Sequence, residues 1–134
     1  MDLFATVATA CEGTDGLEAV IVFGSALTRS DPGDLDLALL WRQELPPLDR
    51  VERAERIAAA LEHALRERDL SVDVSDLRSL PLVMQHRVLR DGRPAYVADR
   101  RALVRFSSET VPRALDFLPF HRRALLAAAR RLAG

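Results

Sequence analysis

Two stretches of this sequence hold residue types that can do chemistry together. The first is Phe23-Gly24-Ser25, followed after eight residues by Asp34-Leu35-Asp36; the second is Ser71-Val72-Asp73-Val74-Ser75. In a β-strand, side chains two positions apart project to one side, about 6.6–6.8 Å apart along the chain. Asp34 and Asp36 then stand together, with Leu35 and Leu37 facing the other way. Two carboxylates about 5 Å apart repel by roughly 3 kcal/mol at an effective dielectric near 20. A strand that otherwise reads as buried carries such a pair only with compensation. A hard divalent cation with oxygen ligands, such as Mg2+, supplies it. A D-x-D alone is more often a strand end turned to solvent, since two-residue patterns recur by chance. Asp73 changes the balance, because a second short strand beside the first would bring a third carboxylate to the same place. Three acidic ligands can hold two metal ions about 3.5–4 Å apart, the arrangement that clamps attacking and leaving oxygens in phosphoryl or nucleotidyl transfer. Asp76 competes for this role, but it lies past the apolar run and reads as a turn or cap residue.

Gly24-Ser25 provides the other half. A glycine directly after a buried strand lets the backbone approach a ligand closely. The N–H groups there, with the Ser25 hydroxyl, can bind phosphate oxygens at the start of a short helix. Gly-Ser by itself is a common strand-ending turn; its value here is its place, one loop upstream of the aspartate pair.

The elements that must position these residues follow from hydrophobic patterning. Leu3 to Cys11 is a short, Ala-rich helix, and Gly13 and Gly16 bracket a turn. Leu17 to Phe23 is a compact β-branched run that reads as a buried strand. Gly24 to Gly33 is a loop with room for one helical turn, and Leu35 to Trp41 is a second strand. After Pro46-Pro47, Leu48 to Asp69 reads as a helix with Val51, Ala54, Ala58, Leu61 and Leu65 on one apolar stripe. Glu52 with Arg56, and Glu62 with Arg66, are spaced for i,i+4 pairing on its outer side. Leu70 to Val74 is a third strand, and a helix follows from Pro81 to near Gly92. Pro94 to Val97 reads as extended, and Asp99 caps a C-terminal helical region that Pro112 and Pro119 interrupt. The order predicts an α/β (α+β) layer, a small mixed sheet covered by helices on at least one face.

With this order in place, strand–Gly-Ser–loop–D-x-D–helix–strand with Asp, the sequence resembles the polymerase-β-like nucleotidyltransferase superfamily. In length and layout it is similar to the minimal nucleotidyltransferases (MNT), many of which are antitoxins paired with a HEPN-domain toxin. The resemblance covers roughly Ala19 to Val97, and the helical tail more loosely. It implies the polymerase-β-like fold, and a Mg2+-dependent enzyme that transfers AMP from ATP to a hydroxyl, a tyrosine of the HEPN ribonuclease. In that scheme Gly24 and Ser25 hold the β- and γ-phosphates. Asp34, Asp36 and Asp73 ligate two Mg2+ ions, and Asp73 helps deprotonate the acceptor. The loop between Ser25 and Asp34 is shorter than the antitoxin pattern, and Gly33 stands where a serine is frequent. Ala26 follows Ser25 where an arginine is usual, and Arg29 is the replacement for nucleotide contact. The expected partners are ATP and a HEPN toxin in a hetero-oligomer. An alternative of another class is a non-catalytic antitoxin that blocks its partner sterically. A further one is transfer to a small molecule, against which the short chain argues.

Composition bounds these readings. A chain of 134 residues fits one domain of about 100–150 residues, here 1–134 with a helical tail from about residue 99. Hydrophobic residues at 49% with charged residues at 29% describe a globular chain, not a disordered one. No apolar run approaches the roughly 20 residues of a membrane span. Met1-Asp2-Leu3 lacks the basic start of a signal peptide. A single cysteine, Cys11, excludes an internal disulfide, so a cytoplasmic location is expected. All 19 basic residues are arginine, and there is no lysine and no asparagine. Schiff-base, P-loop-lysine and N-glycosylation chemistry are thereby excluded.

Charge is unevenly spread. Residues 1–40 hold seven acids against one arginine, and residues 91–134 hold nine arginines against four acids. This gradient fits an acidic metal site at one end and an anion- or partner-binding surface at the other. The arginine pairs 100/101, 122/123 and 130/131 lack regularly interleaved aromatics, and no direct nucleic-acid binding is expected. His63, His86 and His121 are too dispersed to form a local ligand pair. Cys11 reads as a buried inert thiol and Trp41 as a lid on the core. Leu115, Phe117, Leu118 and Phe120 cluster about Pro119 and read either as packing on the sheet or as a docking surface for a helical partner.

Overall fold

The structure is a computed structural model that describes residues 2–133, apart from the side chains at 119–122, 125, 132 and 133. Its elements are α1 (Leu3–Cys11), β1 (Leu17–Phe23), β2 (Asp34–Trp41), α2 (Pro47–Ala64), β3 (Ser71–Asp76), α3 (Leu82–Asp91), β4 (Arg93–Val97) and α4 (Arg100–Ala133). The four strands form one mixed sheet in the order β3-β2-β1-β4. β1 pairs antiparallel with both β2 and β4, whereas β2 and β3 run parallel. A parallel pair needs a crossover connection, and α2 provides it. Local chemistry sets the helix starts. The Asp2 carboxylate accepts the Phe4 N–H at 3.0 Å, and the Asp99 carboxylate accepts that of Ala102 at 3.0 Å.

Alternation along β2 divides the core between two layers. Leu35, Leu37, Leu39 and Trp41 pack with Val7 and Cys11 of α1 and with Ile57 and Leu61 of α2. Ala38 and Leu40 face the other way, onto Leu77, Val88 of α3 and Phe106 of α4. Helices therefore cover both faces. Asp34 and Asp36 continue the register of Ala38 and Leu40 towards the start of β2.

Four expectations need correction. α4 is not interrupted: one helix of 34 residues runs through Pro112 and Pro119. Proline removes one N–H and crowds the preceding turn, but Thr110 and Ala114 are both buried on either side of Pro112. Tertiary packing there overrides local propensity. α2 ends at Ala64, short of Asp69, because the chain must turn to place Ser71, whose N–H donates to the Gly33 carbonyl at 3.0 Å. The stripe of α2 is shifted as well. Ile57, Leu61 and Leu65 are buried, while Val51 is 54% exposed and lines a groove beside β3. Neither i,i+4 pair on α2 closes as an ion pair among the described residues; Arg66 instead donates to the His63 carbonyl at 2.8 Å.

Candidate active site

The aspartates meet where β2 and β3 begin. In the parallel register Asp36 lies directly opposite Asp73, and Asp34 opposite Ser71. Directly opposed residues share a face, so all three carboxylates project from the side of the sheet that carries α3 and α4. Asp36 is half-buried, whereas Asp34 and Asp73 are exposed. Burial pushes the Asp36 carboxyl above its ordinary value, and the charges of Asp73 and then Asp34 push it further the same way. Among the described residues, no cation or hydrogen-bond donor meets any of the three carboxylates.

Gly24 closes one wall. Its φ is +77°, a conformation that side chains rarely adopt. A Cβ at this position would lie 2.5 Å from the Asp36 Oδ2. Glycine here serves the turn and the close approach to Asp36 together. A 3-10 turn, Gly24–Leu27, follows. The Ser25 hydroxyl donates to the Asp34 main-chain carbonyl at 3.4 Å, and the Ser25 carbonyl accepts the Arg29 N–H at 3.0 Å. The loop is thereby tied to the start of β2, with Gly24 and Ser25 beside the acidic group. The Arg29 side chain is exposed.

An alanine at position 24 is expected to destabilise the protein by roughly 1–2 kcal/mol from the left-handed backbone alone, and by more because Asp36 must move. Denaturant melts of Gly24→Ala in the wild-type and Asp36→Ala backgrounds separate the two parts. Without the Asp36 carboxylate only the backbone part should remain; an equal loss in both backgrounds would remove the steric argument.

The donor set suits a hard cation, since all candidate ligands are carboxylate oxygens. As folded, no three His, Cys, Asp or Glu side chains among the described residues stand close enough to share one ion. The aspartates would have to draw inwards around it. The upward push on Asp36 is the stress that such a cation would relieve.

Other sequence candidates lie elsewhere. Asp76 is a cap, as expected: its carboxylate accepts the Arg78 N–H at 3.1 Å and the Arg50 guanidinium at 3.0 Å. It points to the α2 face, away from Asp73. Cys11 is buried, which pushes its thiol up to about 11, so it is inert at neutral pH. Trp41 is buried at the end of β2. His63 is exposed and His86 half-buried. The side chains of His121, Arg122 and Phe120 lie outside the described residues. Leu115 and Phe117 are exposed on α4 and Leu118 is half-buried, while the packed side of the helix is formed by Ala102, Phe106, Thr110 and Ala114.

Two features carried no sequence signal. One is the Gly24–Asp36 contact. The other is a groove of about 620 Å³ between α2 and β3, lined by Trp41, Arg50, Val51, Ala54, Val74 and Asp76 among others. Among the described residues, no helix is long and apolar enough to cross a membrane.

Several solved toxin–antitoxin structures share the fold. One, described as a toxin–antitoxin with AMP-PNP, is 23% identical with a TM-score of 0.69, covering 96% of this chain and 99% of that one. A toxin–antitoxin MntA-HpeT mutant is 22% identical with a TM-score of 0.68, covering 95% and 98%. A tri-AMPylated Shewanella oneidensis HEPN toxin in complex with MNT antitoxin is 20% identical with a TM-score of 0.62, covering 98% and 96%. No protein of curated function matches the chain. Residues 6–101 match the family model described as Polymerase beta, Nucleotidyltransferase. That span takes in most of α1, all four strands and every aspartate of the candidate site, and the chain belongs to the polymerase-beta nucleotidyltransferase family.

Proposed function

We propose that the protein is a Mg2+-dependent nucleotidyltransferase that moves AMP from ATP to a hydroxyl, a tyrosine, of a HEPN-type ribonuclease toxin, and so acts as its antitoxin. The observation that carries this reading is the pairing of Asp36 with Asp73, with Asp34 beside them and the Gly24-Ser25 turn against Asp36. The solved relatives support the donor and the acceptor: one was described with AMP-PNP, and another contains an AMPylated HEPN toxin.

Asp34, Asp36 and Asp73 would hold two Mg2+ ions, which supply charge neutralisation for the triphosphate and the transferring phosphoryl group. Gly24 and Ser25 sit where backbone N–H groups and a hydroxyl receive the outer phosphates, and Arg29 lies within the same loop. The acceptor oxygen forms a bond to the α-phosphorus, the bond to the β-phosphate bridge breaks, and pyrophosphate leaves. Asp73, exposed on the last strand of the sheet, takes the acceptor's proton. The whole chain, 1–134, works as one transferase unit with α4 as its helical tail.

Co-expression with the product of the neighbouring reading frame, followed by intact-mass measurement of both chains, tests this directly. The partner should gain the mass of one or more AMP groups, and the gain should vanish with Asp36→Asn. A tight complex with an unmodified partner would favour steric neutralisation over transfer.

A further inference from the structure

We propose that the open edge of β3 is where the acceptor docks: an extended polypeptide segment adds beside β3 and so brings its hydroxyl side chain to Asp73. This rests on the reading of Asp73 as the proton acceptor, and it specifies how the acceptor is presented.

Among the described residues no strand pairs with the outer edge of β3 or of β4, but the two edges are not equivalent. β4 carries Pro94 and Arg93, devices that discourage strand addition. β3, Ser-Val-Asp-Val-Ser-Asp, has no proline, lysine or arginine. Its backbone is also correctly set. The Ser71 N–H is bonded to Gly33 on the β2 side. Backbone groups alternate along a strand, so those of Ser71, Asp73 and Ser75 face β2 while those of Val72 and Val74 face outward. An antiparallel segment bonded to Val72 and Val74 would oppose Asp73 through a non-hydrogen-bonded pair, with Cα atoms about 4.5 Å apart and side chains at their closest. A tyrosine one diagonal step away, about 7–8 Å, would also reach with its ring.

The opposite side chains of such a segment have a receptor too. They would alternate towards the α2 face, where the groove of about 620 Å³ begins at Val74 and runs beneath Val51 and Ala54. That volume is in the range of about 300–1,000 Å³ that takes ligand groups. Charge indicates the occupant. Of the charged groups lining the groove, Arg50 is held by Asp76 at 3.0 Å, which leaves Glu55 without an ion-pair partner among the described residues. With Asp73 on the edge itself, the surface is acidic and apolar. The acceptor segment is therefore an extended stretch with a hydroxyl residue, apolar residues at alternate positions and a flanking basic residue. In the transfer, the acceptor oxygen bonds to the α-phosphorus of ATP, pyrophosphate departs, and the proton passes to the Asp73 carboxylate.

Val74→Pro is the discriminating variant. It removes an outward N–H and no bond to β2, and the preceding Asp73 is already extended, as proline demands. The assay measures AMP transfer to the neighbouring-frame product, together with Mg-ATP-induced thermal stabilisation. Val74→Pro should retain the stabilisation and raise the acceptor KM by about tenfold or more, the worth of an interfacial hydrogen bond together with a clash. A folded Val74→Pro that modifies the acceptor with an unchanged KM overturns the docking proposal and leaves the transferase reading intact. If the variant does not fold, amide hydrogen exchange of the wild type decides: the acceptor should slow exchange at Val72 and Val74, and unchanged exchange there overturns the proposal. If wild-type protein transfers AMP to nothing, the transferase reading itself fails and the docking proposal falls with it.

Discussion

Asp36→Asn is expected to abolish both AMP transfer and the thermal stabilisation that Mg-ATP gives the wild type, while leaving the unliganded protein at least as stable. Ligand present at 100 times its dissociation constant stabilises a fold by about 2.7 kcal/mol. For a chain of this size that corresponds to a rise in Tm on the order of 10 °C, and the variant should show none of it. The gain without ligand has a definite sign. Burial, then Asp73 and Asp34, hold the folded Asp36 carboxyl above its ordinary 3.8. The folded state therefore binds this proton more readily than the unfolded chain. The penalty is fully present above the folded value and fades as pH falls through it towards 3.8. Asparagine removes the penalty, so the variant's advantage should be present at neutral pH and shrink on acidification. Melting curves of both proteins across that range test the electrostatics, and calorimetry with Mg-ATP tests the ligand role. Equal Mg-ATP binding by the variant would refute the assignment of Asp36 as a ligand.

Asp73→Asn should separate binding from chemistry. Gly24, Ser25, Asp34 and Asp36 all remain to hold the triphosphate, so Mg-ATP affinity should be largely kept. Transfer should fall by about 10²–10⁴-fold, the usual worth of a positioned general base. Single-turnover AMP transfer at saturating Mg-ATP is the measurement. A wild-type rate would require another base. Asp76 is not a ready substitute, because Arg50 and the Arg78 N–H engage its carboxylate on the opposite face of the sheet.

Much of this arrangement was legible in the sequence because local pattern and tertiary role agree. The β-branched run Leu17–Phe23, the period-two alternation of Leu35, Leu37 and Leu39, and the capping aspartates each specify an element without help from distant residues. The placement of the three aspartates on one face was legible through period-two alternation: Asp34 and Asp36 share a side of β2, and the pairing of Asp36 with Asp73 puts the third carboxylate there too. Where expectation and structure part, the deciding residue lies far away in sequence. Pro112 stays helical within a helix whose Thr110 and Ala114 are buried on either side of it. Val51 is exposed on a helix beside β3, beyond which no strand lies among the described residues. The close approach of Gly24 to Asp36 depends on a backbone angle and on the β1–β2 register, Phe23 opposite Asp36, and neither is written in residue type.

The parallel pairing of β2 with β3 across α2 also has a consequence for how the protein is made. α1, β1 and β2 can associate through short connections, since β1 and β2 are consecutive antiparallel strands. The Asp36–Asp73 pair forms only when the whole crossover has closed, a non-local contact with a larger loop-closure entropy. On a ribosome, a nascent chain that has not yet released β3 would carry Asp34, Asp36 and the glycine turn but not the third carboxylate. The acidic group is thus completed together with the core, because both layers need residues from α2 onward: Ile57 and Leu61 on one face, Leu77, Val88 and Phe106 on the other. A truncated chain ending within α2 would lack Asp73 and with it the third carboxylate of the candidate site, however well its first strands were formed.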